Sequence, residues 1–82
     1  SNSDVVLADL LAKAEDDGVY IPVHVIKDLL PSVVRRALEA GAVAPLEWVG
    51  QGMTAVVLKD AKGLAFKVAN RVDASFASIF LE

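Results

Sequence analysis

The chain contains no cysteine. That excludes a disulfide framework, a thiolate nucleophile and a cysteine-built metal site, and it fits a reducing, cytoplasmic compartment. Histidine occurs once, at His24. One imidazole with no second histidine or cysteine beside it does not hold a metal. No apolar run approaches the roughly 18–20 residues that a membrane-spanning helix needs. No basic segment leads into an apolar one as in a signal peptide. Positive charge is also in deficit, with 8 Lys and Arg against 11 Asp and Glu and a net charge of −3. A negative chain is a poor match for phosphate backbones, so neither nucleic acid nor a membrane is an expected partner.

What the sequence has in abundance is apolar side chains, 55% of its 82 residues. A domain of this size buries only about 60–65% of its unfolded surface. The surplus points to a face covered by a second copy, or by a second lobe of a larger protein. The length allows one domain, 1–82. Ser1-Asn2 resembles the remnant of a protease cleavage, and Leu81-Glu82 resembles a tag junction.

Local patterns predict an α+β fold: three N-terminal helices, a small antiparallel three-stranded sheet and a C-terminal helix. The helical part spans 1–42, the sheet part 43–72, and 73–82 begins the last helix. Val6, Leu7, Leu10, Leu11 and Ala14 recur at helical spacing over 4–17. Ser3 is the expected N-cap and Gly18 the expected stop. Pro22 suits the first turn of a second helix over 23–30. Pro31, which lacks an amide hydrogen, is expected to end that helix and open a third over 32–40, stopped by Gly41. From Val43 the period shortens, and 46–49, 54–59 and 64–69 read as strands. Asp60-Ala61-Lys62-Gly63 reads as a turn in which Gly63 adopts a positive φ. From Asp73, the residues Ala74, Phe76, Ala77, Ile79 and Phe80 read as helical.

The most informative stretch is Val49-Gly50-Gln51-Gly52-Met53-Thr54-Ala55-Val56-Val57, followed by Ala65-Phe66-Lys67. It resembles the start of a protein-kinase-like fold, including small-molecule phosphotransferases: a glycine loop between two strands, a valine after it, then Ala-x-Lys on the next strand. The resemblance covers about a quarter of the chain. It implies that Gly50 and Gly52 let backbone amides approach phosphates, that Val57 and Ala65 roof a purine, and that Lys67 reaches the α- and β-phosphates. It further implies that Glu82 is the helix glutamate that pairs with Lys67. Ala55 replaces the family's third glycine. The catalytic aspartate and the magnesium ligands of such proteins belong to a second lobe. ATP with Mg²⁺ is therefore expected only for a full-length protein, and this chain alone has no assigned catalytic residue, metal ligand or cofactor.

Two other readings follow from the same residues. Helices followed by a hairpin match the order of a winged helix-turn-helix, with Ser32, Arg35 and Arg36 facing DNA. Against it, adjacent arginines on a helix diverge by about 100°. The apolar surplus alternatively suits a non-catalytic interaction module that pairs with itself.

Overall fold

The computed structural model describes residues 2–69 and the strand Ala77–Leu81. Helix α1, Asn2–Asp16, buries Val6, Leu10 and Ala14, one stripe at intervals of a single turn. It starts ahead of the expected cap, so Ser3 lies in its first turn. Its end is closed as expected. Gly18 adopts φ 71°, and the amides of Gly18 and Val19 bond back to the carbonyls of Glu15 and Ala14 at 3.1 and 2.8 Å.

The second and third expected helices are one continuous helical run. Pro22 accepts the amides of Val25 and Ile26, at 3.0 and 3.1 Å. A π-helical turn over Val25–Leu29 then leads directly into α2, Leu30–Glu39, with Pro31 in its first turn. The expected break at Pro31 is thus wrong, and the count is two helices in place of three. The widened turn explains it: the Leu30 amide reaches past the usual acceptor to the Val25 carbonyl, and the ladder is re-phased just where proline has no hydrogen to donate. The apolar residues Leu30, Val33, Val34 and Ala37 supply the reason to stay helical, because all four are buried. Gly41, at φ 103°, closes α2 with the same pair of amide bonds that ends α1.

Strands β1 (Glu47–Gln51), β2 (Ala55–Lys59) and β3 (Leu64–Ala69) pair antiparallel in the expected order, but the sheet has four strands rather than the expected three, with a fourth on the edge of β3. Val56 and Leu58 of β2 and Phe66 and Val68 of β3 face the helices and complete one core with Leu10, Leu30 and Val34. Phe66 is 1% exposed, and truncating it to alanine is expected to cost about 3–5 kcal/mol. Trp48, half-buried, packs against the same cluster.

The expected C-terminal helix is not there. Ala77–Leu81 is strand β4, antiparallel to β3, with Lys67 opposite Ser78 and Leu64 opposite Leu81. The open edge of β3 offers Ala77–Leu81 backbone hydrogen bonds and cross-strand pairs, and that pairing overrides the helical spacing of its apolar residues. The stretch 70–76, where that helix was expected to begin, lies outside the described residues.

Asp60 joins the helical half to the sheet. It is the buried charged residue of the core region, 5% exposed. Its carboxylate accepts the amides of Lys62 and Leu64 within its own turn, at 2.9 and 3.0 Å, and that of Val43 beyond α2 at 3.0 Å. The Val43 carbonyl in return accepts the Ala61 amide at 2.8 Å. Burial alone pushes the Asp60 carboxyl up. The amides of Val43, Leu64 and Lys62, with the Lys62 charge, outweigh it and hold the carboxyl below its ordinary value.

Candidate functional site

Gly50, Val57 and Lys67 stand in a single cross-strand row. Gly50 pairs with Val57, and Val57 pairs with Lys67. With strands about 4.8 Å apart, the Gly50 and Lys67 backbones lie about 10 Å from each other. A bulge between Trp48 and Gly50 sets this row, because the register shifts there by one residue. Strand alternation puts Val57, Ala65 and Lys67 on the face opposite Val56, Leu58, Phe66 and Val68. It is the face the helices do not cover. Lys67 is exposed, Val57 half-buried, and Ala65 buried at 7% exposure. Among the described residues no carboxylate pairs with Lys67.

The β1–β2 turn runs through Gly52, Met53 and Thr54, with the Gly52 amide donating to the Ala55 carbonyl at 2.8 Å. Met53 is 98% exposed at its tip. Neither Gly50 nor Gly52 has a positive φ. Among the described residues, a Cβ at Gly50 would meet nothing within 4 Å, and one at Gly52 only the Ala55 carbonyl at 4.0 Å. Nothing in the described fold requires glycine at either position. Among the described residues, both glycines leave room beside the backbone on the Ala55 side of the sheet.

Glu82, the remaining candidate, lies outside the described residues. Two hollows lie away from this row. One, of about 270 Å³, is lined by Lys13, Glu47, Lys59 and Asp60 at the opposite end of β2 from the glycine turn. The other, of about 390 Å³, lies beside the chain that leaves α1. Of the groups suggested for a DNA-facing helix, Arg35 is exposed, but Arg36 is half-buried and donates to the Ala69 carbonyl at 3.4 Å. No turn sets Ser32 apart from a preceding helix. His24 is exposed and its side chain caps no helix end. No group of His, Asp and Glu suited to a metal ion occurs among the described residues, and no helix among them is long and apolar enough to cross a membrane.

Two features of this arrangement were beyond sequence reasoning. The bulge that aligns Gly50 with Lys67 has no signal in residue types. The open space at Gly50 and Gly52 is a property of packing, although the glycines themselves are plain in the sequence. No protein-family model matches the chain, and no curated protein or solved structure is significantly similar to it.

Proposed function

We propose that the chain is the nucleotide-contacting N-lobe portion of a kinase-like protein, acting in the cytoplasm. The observation that carries this reading is that Gly50 stands in one cross-strand row with Lys67, on the face the helices do not cover, with Gly52 following two residues on in the turn, and that neither glycine is required by its backbone angle. Backbone amides without a neighbouring Cβ accept close approach by phosphate oxygens. Lys67 supplies a compact positive charge within reach of them. Val57, half-buried on this face, offers an apolar contact for a flat base, and Ala65, buried diagonally from it on the same face, is small enough to leave that contact open. The chain holds the nucleotide; the base and metal ligands for phosphoryl transfer come from a second lobe, so ATP with Mg²⁺ is turned over only by the larger protein.

Titration of ¹⁵N-labelled protein with ATP, with and without Mg²⁺, tests this. Amide shifts centred on Gly50–Gly52, Val57, Ala65 and Lys67 are expected, with binding at least about tenfold weaker in Lys67→Ala. No shift at millimolar nucleotide, or the same shifts in Lys67→Ala, sinks the reading. Phosphoryl transfer by this chain alone is not expected.

A further inference from the structure

We propose that the groove beside the end of α1 docks a partner-protein segment that combines an apolar anchor with Lys or Arg side chains. The groove has a volume of about 390 Å³, and its lining includes Leu11, Glu15, Val19, Tyr20, Ile21 and Ile26. It lies on the helical side of the molecule and shares no residue with the Gly50–Lys67 row. Tyr20 is 78% exposed, Val23 63% and Val19 40%. Val19 and Tyr20, which line the groove, are therefore exposed to water, and Val23, three positions on, is exposed as well. A contiguous patch of that kind marks an interaction site more often than scattered exposure does, and tyrosine is among the residues that dominate binding energy at interfaces. The floor of the groove includes Ile26 of the π turn, a helical irregularity that often accompanies binding sites.

Charge decides what kind of partner fits. Glu15, Asp16 and Asp17 crowd the C-terminal end of α1, where the helix dipole is already negative. Lys13 holds Asp17 at 3.0 Å. Among the described residues neither Glu15 nor Asp16 is in a direct ion pair, although the Lys13 charge is felt at Asp16. This negative end borders the apolar groove, so cationic side chains flanking an apolar anchor meet complementary charge. A second copy of the chain would bring the same acids to the contact, and like charges oppose that pairing.

Selection from a displayed random-peptide library against the folded protein tests the proposal. The expected consensus is an apolar residue flanked by Lys or Arg. A synthetic peptide of that consensus should shift the amides of Leu11, Glu15, Tyr20 and Ile26. Its affinity should fall about 30-fold in Tyr20→Ala and about 5-fold in Glu15→Lys, and should weaken with added salt. Both substitutions are on the surface, and an unchanged spectrum elsewhere verifies the fold. The proposal is overturned by enrichment of acidic peptides, by no enrichment, by shifts centred on other residues, or by binding that survives both substitutions. Sedimentation showing a dimer that Tyr20→Ala dissociates also overturns it, in favour of a second copy.

Discussion

The β1–β2 turn and the β2–β3 turn are built on opposite principles. The turn between β2 and β3 is tied down. Asp60 is buried, accepts three amides, and reaches outside its own hairpin to Val43. Gly63 sits at φ 85°, in the left-handed region that other residues enter at a cost. The turn between β1 and β2 projects into solvent. Gly52 in the turn and Gly50 near the end of β1 have ordinary backbone angles and, among the described residues, no atom within ordinary contact distance of an added Cβ, and Met53 at the tip is almost wholly exposed. One turn holds the molecule together. The other carries an almost fully exposed side chain at its tip. Glycine has a different physical meaning in each: a required conformation at Gly63, and an unfilled volume at Gly50 and Gly52.

Substitutions that exchange the character of the two turns test this contrast. The largest effect is expected from Asp60→Ala, which leaves the Val43, Lys62 and Leu64 amides without their acceptor. A fall in melting temperature of roughly 10 °C or more is expected by calorimetry. A loss of only a degree or two would show that water replaces the carboxylate and that the turn is not the anchor described above.

Asp60→Asn separates the two halves of that anchor. The Oδ1 atom accepts both Lys62 and Leu64, so an asparagine oxygen keeps those bonds, while its amide group meets the Val43 N–H donor to donor. An intermediate loss of stability is expected, with hydrogen exchange accelerated at Val43 more than at Leu64. The carboxylate also predicts a pH dependence. Its folded pKa lies below the ordinary value of 3.8, so its contribution is complete above that value and disappears as pH falls through the lower folded value. Acid denaturation followed by circular dichroism should therefore lose this stabilisation below about pH 4 in the parent and show a flatter profile in Asp60→Asn. Identical acid profiles would remove Asp60 from the account.

Smaller effects are expected at the glycines. Gly63→Ala should cost about 1–2 kcal/mol in a denaturant titration, because alanine is strained at that φ. Gly50→Ala and Gly52→Ala should change stability by no more than about 0.5 kcal/mol. Both should nonetheless weaken nucleotide-induced shifts, since the added methyl fills the space a phosphate would use. If the two alanine variants unfold the sheet, the glycines are structural and the contrast between the turns fails.

Much of this layout was legible before any coordinates. The apolar spacing of Val6, Leu10 and Ala14 marks α1, Gly18 and Gly41 mark the ends of the helices, and β3 spans the residues its alternation indicates. The misreadings share a cause. Proline rules put a break at Pro31, yet burial of Leu30, Val33 and Val34 keeps the run helical, and the π turn absorbs the missing bond. Likewise Ala77–Leu81 has a pattern compatible with a helix, but the edge of β3 recruits it as a strand. Asp60 was visible as a turn residue. Its bond to Val43, seventeen positions earlier, was not, because no local pattern records which distant amide lacks an acceptor.

Residue order alone was enough for the mixed α+β class, the antiparallel meander and the identities of Gly50, Gly52 and Lys67, since these depend on periodicity and on the backbone freedom of single residue types. Tertiary packing decided the rest: which helical segments merge, which strand edge captures the C-terminal segment, and that a bulge brings Gly50 level with Lys67. These outcomes depend on buried contacts between residues far apart in the chain, and those contacts outweigh local preferences of about 1 kcal/mol per residue.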